Sequence, residues 1–196
     1  MNPPMMNLPK YVPPATTVRA LIAQHARTQP DAVFAMFPET QAELSYKALE
    51  QEVQQYAAQF YALGLAQGDT VSYMMGNGRS ALVLFLSALY AGLIVSPLNP
   101  AAGPEQITYV LQHSDTKLVF VSPNFKAVVD QAQSASAIAI PTVECDEDCG
   151  PVWPQASVSA IKLVPIEPTS DGLLMYTSGT TGRPKGVVLT HENLLA

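Results

Sequence analysis

"LIVSPLNPAAGPEQITYVLQHSDTKLVFVS", residues 93–122, decides the fold class of this chain. An apolar run at 93–96 reads as a short buried strand. Pro104 then suits the first position of a helix that carries Ile107, Val110 and Leu111 at helical spacing, and residues 117–122 read as a second strand. Two strands separated by a helix cannot pair through a tight hairpin; the crossover sets them parallel. Parallel strands place the segment in an α/β protein.

The text on either side repeats this alternation. Thr16 or Thr17 can cap a helix with Val18, Leu21, Ile22 and Ala26 on one face, ending before Pro30, and a strand follows at 32–37. Ser45 caps a longer helix bearing Leu49, Val53, Tyr56, Ala57 and Phe60, which stops near Gly64; the next strand is 70–75. A helix after Gly78 gives way at Gly92 to the quoted segment. Beyond it come a helix around Phe125, Val128, Val129 and Ala132 and a strand near 137–143. The expected architecture is a largely parallel sheet with helices on both faces. The predicted organisation is a proline-rich tail at 1–14, an α/β subdomain at 15–145, an irregular connection at 146–168, and the start of a next sheet at 169–196. No internal repeat is found.

Composition narrows the partners. With 196 residues, 48% hydrophobic and 13% charged, the chain can bury a sizeable core. A net charge of −6, with 10 Lys and Arg and no basic run, argues against a nucleic-acid backbone as partner. The most apolar stretch, residues 81–95, is shorter than the roughly 20 residues a membrane span needs and contains Ser87 and Gly92, so no membrane span is expected. The tail lacks an apolar run of secretory length, which points to a cytoplasmic location. Cys145 and Cys149 bracket three acids, but no second Cys/His pair is placed to complete a metal site, so the metal set is empty and the segment reads as a solvated acidic loop.

One stretch carries chemistry. "YTSGTTGRPKG", residues 176–186, combines three glycines with Thr177, Ser178, Thr180 and Thr181, and adds the point charge of Lys185. Glycines let the backbone approach a ligand closely, and hydroxyls beside free amides make a cradle for phosphate oxygens. The pattern is not the P-loop of NTPases, because Pro184 stands where that motif needs Gly, and no G-x-G-x-x-G occurs in the chain. Residues 172–176 and 187–189 both read as strands, so the loop joins strand to strand and its own amides must do the binding. A Ser/Thr/Gly-rich turn alone is common; the full string through Pro184, Lys185 and Gly186 is far more specific.

That string, continued by Leu189, Thr190, His191, Glu192, Asn193 and Leu194, resembles the phosphate-loop signature of the adenylate-forming (AMP-binding) superfamily, which includes acyl- and aryl-CoA ligases, peptide-synthetase adenylation domains and firefly luciferase. The likeness extends from about Ala15 to Ala196, with Gly64 and Gly68 at turns and Pro97 and Pro100 where a buried strand exits. The segment 74–78 departs mildly, being richer in Gly and Met. The resemblance implies an acid–thiol ligase. A carboxylate attacks the α-phosphorus of ATP to give acyl-AMP and pyrophosphate, and coenzyme A displaces AMP. It further implies that Thr177, Ser178, Gly179, Thr180, Thr181, Gly182 and Lys185 hold the phosphates, with Lys185 assisting catalysis electrostatically. Ligands for Mg2+, most of the acyl pocket and a mobile C-terminal domain are expected beyond Ala196, and the portion here is expected to be inactive alone. A peptide-synthetase adenylation domain and a non-catalytic nucleotide-binding module are the alternatives. His191, placed just after the candidate cap Thr190, reads as structural, and His25 and His113 lack a nearby nucleophile.

Overall fold

The computed structural model describes residues 15–136, 139–154, 162–177 and 183–196. Its centre is a seven-stranded sheet in the order β7-β6-β5-β3-β4-β8-β9. The five inner strands, β3 (Thr70–Met74), β4 (Ile94–Pro97), β5 (Thr116–Val121), β6 (Thr142–Asp146) and β8 (Asp171–Thr177), run parallel. The edges, β7 (Gly150–Pro151) and β9 (Lys185–Thr190), are antiparallel to their neighbours. The largely parallel α/β sheet read from the sequence is the observed one.

Two cores sandwich it. Strand β5 shows why: Leu118 and Phe120 point into one core and Val119 and Val121 into the other, the period of two that a sheet covered on both faces requires. The first core is closed by α1 (Val18–Thr28), α2 (Tyr46–Ala62) and α3 (Arg79–Ala91). The second lies under α4 (Pro104–His113) and α5 (Lys126–Ala135), which contribute Ile107, Val110, Leu111, Val129 and Ala132. Phe60 and Phe120 are wholly buried and meet edge to face at 5.8 Å; burying each contributes about 1.5–3 kcal/mol. Trp153, from the irregular connection, completes this cluster at 5.9 Å from Phe60 and 5.1 Å from Tyr56, and so pins residues after β7 to the α2 side.

The caps expected from sequence form as hydrogen bonds. Thr17 accepts from the Ala20 amide, Ser45 from the Ala48 amide and Thr190 from the Asn193 amide, and Asn193 Oδ1 in turn accepts from the Thr190 amide. Gly92 ends α3 in the left-handed region at φ 81°, a conformation that costs a residue with a Cβ about 1–2 kcal/mol.

Three expectations are corrected. Strand β1 (Val33–Phe37) stays out of the parallel sheet and pairs antiparallel with β2 (Ala42–Ser45), a strand the sequence reading missed. Strand β6 begins at Thr142, later than the expected 137–143, because pairing with β5 at Val119↔Thr142 sets its position. The segment from 169 does not begin another sheet. Strand β8 lies beside β4 in the same one, joined at Val95↔Leu173, so the irregular text before it is a connection across one sheet.

The Gly- and Met-rich segment 74–78 is explained by its neighbour. The Glu147 carboxylate accepts from the Gly76 amide at 2.9 Å and from Ser122 Oγ at 2.9 Å, while its main-chain oxygen accepts from the Ser80 amide at 2.9 Å. A Cβ on Gly76 would sit 2.9 Å from the Glu147 carboxylate, and one on Gly78 would sit 2.8 Å from its carbonyl oxygen. Strands β3 and β5 send their following helices to opposite faces, and the crevice between such strands is where α/β sheets commonly bind ligands. Here the chain's own carboxylate fills it.

Candidate nucleotide-phosphate site

Strand β8 ends at Thr177 and β9 begins at Lys185, and these two residues face each other as the last pair of the hairpin ladder. Because β8 runs with the parallel set, this mouth stands at the carboxyl end of the sheet, the end where α/β folds place ligands. Both residues are exposed. The structure therefore brings together Thr177 and Lys185, the first and last of the predicted phosphate-binding residues; Ser178, Gly179, Thr180, Thr181 and Gly182 lie outside the described residues.

Beside the mouth is a cleft of about 460 Å³. One wall is the end of β8, with Met175, Tyr176 and Thr177; the other is the exit of β4 and the first turns of α4, including Leu98, Asn99, Gln106 and Ile107. The ladder between β4 and β8 is the single pair Val95↔Leu173, and the cleft lies where the exit of β4, the first turns of α4 and the end of β8 meet. No charged side chain is among the described residues that line it. It is suited to an apolar or neutral group, with Asn99, Gln106 and Thr177 offering hydrogen bonds at fixed points.

Tyr176 occupies the boundary between mouth and cleft. Its hydroxyl shares a 2.8 Å hydrogen bond with His113 Nδ1, and its ring meets the His113 ring edge-on at 5.7 Å. Burial and the nearby Tyr109 hydroxyl push the Tyr176 phenol above its ordinary pKa, so it remains neutral and available as a hydrogen-bonding group at neutral pH. Sequence reasoning missed His113. The available signal was the Tyr109/His113 spacing of four on α4, which puts both rings on one helix face.

His191 is at the opposite end of β9 from Lys185, roughly 20 Å away along a strand of six residues at about 3.3 Å each. It is fully buried, and its Nδ1 accepts the Val18 amide at 3.3 Å, so it ties α1 to α6 (His191–Leu195) and is structural as read. His25 stacks on Tyr46 at 4.8 Å. Cys145 is buried, which pushes its thiol up to about 12, while Cys149 is exposed in a turn whose amides donate to Asp146. Among the described residues no three His, Cys, Asp or Glu side chains gather to hold a metal ion, and no helix is long and apolar enough to cross a membrane.

The AMP-binding enzyme family matches residues 22–196. The chain belongs to the AMP-binding enzyme family. It is 38% identical over 182 residues to a sulfoacetate–CoA ligase of Cupriavidus necator, covering 92% of this chain and 36% of that protein. It is 31% identical over 160 residues to a crotonobetaine/carnitine–CoA ligase of Salmonella arizonae, covering 76% of this chain and 31% of that protein. Among solved structures, a fatty acyl CoA synthetase of Mycobacterium tuberculosis superposes with a TM-score of 0.75 at 25% identity, covering 90% of this chain and 35% of that one. The chain thus spans about a third of the length of the relatives it matches. Within this family's match, the β8–β9 hairpin carries the Ser/Thr/Gly-rich string of residues 176–186.

Proposed function

We propose that this chain supplies the triphosphate-binding hairpin, and one flank of the substrate cleft, of an ATP-dependent acid–thiol ligase of the acyl- or aryl-CoA type. The observation that carries the reading is the facing pair Thr177 and Lys185 at the carboxyl end of the sheet, opening beside a cleft of about 460 Å³ with no charged side chain among the described residues that line it. Membership of the AMP-binding family and the CoA-ligase relatives support it.

The chemistry follows from the reactivity of a carboxylate. Its charge is delocalised and its leaving group would be oxide, so a thiol cannot displace it directly. When a carboxylate oxygen attacks the α-phosphorus of ATP, a C–O–P linkage forms, the bond from the α-phosphorus to the bridging oxygen breaks, and pyrophosphate leaves with the electron pair. The thiol sulfur of coenzyme A then attacks the acyl carbon, its proton is lost to solvent or a base, and AMP departs. In such a displacement the protein chiefly positions groups and stabilises charge. Lys185 Nζ meets the negative charge that grows on the departing pyrophosphate. The Thr177 hydroxyl and the amides of Ser178, Gly179, Thr180, Thr181 and Gly182 hold the β- and γ-phosphates. Mg2+ would screen the phosphate charge on the nucleotide, but the described residues do not gather the ligands to hold it. The cleft takes an uncharged part of the acid or of the thiol substrate.

Acid-dependent exchange of pyrophosphate into ATP, followed by coenzyme A-dependent release of AMP, tests the reading in a polypeptide that carries this chain at the length of its relatives. Exchange with some carboxylic acid is expected there, and none with residues 1–196 alone. A full-length protein that binds ATP but exchanges no pyrophosphate with any acid, across aliphatic, aromatic and sulfonated acids, would overturn it.

A further inference from the structure

The ladder between β4 and β8 stops at Val95↔Leu173, so backbone pairing with β4 does not hold Met175, Tyr176 and Thr177 in place. Side chains on α4 reach this half of the hairpin. Tyr176, the residue before Thr177, is hydrogen-bonded to His113 at 2.8 Å. One turn back on the same helix face, the Tyr109 ring lies 5.3 Å from the His113 ring, and the Arg183 guanidinium stands 5.8 Å from the Tyr109 centroid, within cation–π range. Arg183 is two residues before Lys185. Both strands of the mouth are therefore fastened to one face of α4. That helix also forms the far wall of the cleft with Gln106, Ile107 and Val110.

His113 is exposed, while Tyr109 and Tyr176 are half-buried at the edge of the second core, whose buried members on α4 are Ile107, Val110 and Leu111. Loss of the His113 contact leaves those buried residues in place while freeing the hairpin to move relative to α4. The Tyr176 ring also lies across β9, since a Cβ on Gly186 would meet its Cε1 and Cζ at 3.5 Å, so a shift of Tyr176 carries the Lys185 end with it.

We propose that His113 and Tyr109 are positioning residues: through Tyr176 and Arg183 they set the separation between the Thr177/Lys185 mouth and the α4 wall of the cleft, and so align the triphosphate with the bound substrate. The proposal rests on the ligase reading above, and its test has one arm that does not. In residues 1–196 alone, His113→Ala and Tyr176→Phe should each speed amide hydrogen exchange at Thr177 and Lys185 about five- to tenfold, the loss expected of one hydrogen bond, with exchange in β3 and β5 unchanged. In the ligase that carries this chain, His113→Ala should raise KM for MgATP about tenfold and leave the thermal midpoint within about 2 °C of wild type. His113→Gln, whose side-chain amide can restore the bond to Tyr176, should recover both readouts. Unchanged exchange at Thr177 and Lys185 overturns the proposal, and so does a rise in KM that His113→Gln shares in full. A wild-type ligase with no acid-dependent pyrophosphate exchange would defeat the ligase reading instead, and the hydrogen-exchange arm would still decide the positioning.

Discussion

His191 Nδ1 accepts the backbone N–H of Val18 at 3.3 Å across 173 residues of chain, clasping the first helix to the last. With Nδ1 an acceptor, the proton is on Nε2, which has no hydrogen-bond partner among the described residues. Protonating Nδ1 would break the clasp and bury a charge. Desolvation by burial lowers the His191 pKa below its ordinary 6.5, and the positive charge of Arg19 lowers it further.

The stability of the chain should therefore depend on this ring at mildly acid pH. The unfolded chain takes up the proton near pH 6.5 while the folded chain does not, so the contribution is complete above pH 6.5 and is lost as pH falls from there towards the folded pKa. The slope for one such group is at most about 1.4 kcal/mol per pH unit. His191→Gln should flatten the fall in denaturation midpoint between pH 6.5 and 5; a variant whose midpoint falls as steeply as wild type would assign the acid sensitivity to other groups.

Glu147 makes a different kind of clasp. Its carboxylate satisfies the Gly76 amide and Ser122 Oγ at the ends of β3 and β5, and Glu147→Ala leaves both without that acceptor. The expected loss is about 1–3 kcal/mol by chemical denaturation, with Gly76→Ala losing a similar amount because its Cβ would meet the same carboxylate. A loss under about 0.5 kcal/mol for both substitutions would mean that solvent replaces the contacts freely.

If the proposed ligase reading holds, Lys185→Ala in a polypeptide that carries this chain at the length of its relatives should slow acyl-AMP formation by a factor on the order of 10 to 1,000, the range for removing one preorganised charge contact. Since Lys185 is exposed at the hairpin mouth, its loss should not lower the melting temperature. Single-turnover quench-flow measures the step, and an unchanged rate would remove Lys185 from the charge-stabilising role.

What was legible in the sequence was local. Thr17, Ser45 and Thr190 announce their helices because a cap bonds within three residues of itself, and the alternation of strand and helix around residues 93–122 sets its two strands parallel in one sheet, although each pairs with β3 and not with the other. The β1–β2 hairpin is local, but its short connection at 38–41 was not read as a turn. What was hidden otherwise depends on partners distant in the chain: nothing near Leu173 says that its neighbour is Val95. The hairpin proposed to bind phosphate stood out by its residue types, yet its hydrogen bond to α4 did not, because His113 and Tyr176 are 63 residues apart. The Gly- and Met-rich segment 74–78 became intelligible only with Glu147, which comes in from the end of β6, two strands from β3 and 71 residues on from Gly76.

The lone join between β4 and β8 bears on the order of folding. Val95 and Leu173 are separated by 78 positions, so their contact closes a long loop, whereas β3, β4 and β5 find one another over shorter spans and bury both cores as they do. The hairpin can form by itself from adjacent residues, but it docks onto a sheet whose other strands have already met. Assembly thus ends where the proposed chemistry begins: in pulsed hydrogen exchange during refolding, the amides of β4 that face β8 should gain protection after those shared by β3 and β5. The ligand-facing part of the molecule is then the part least able to misdirect the formation of its core.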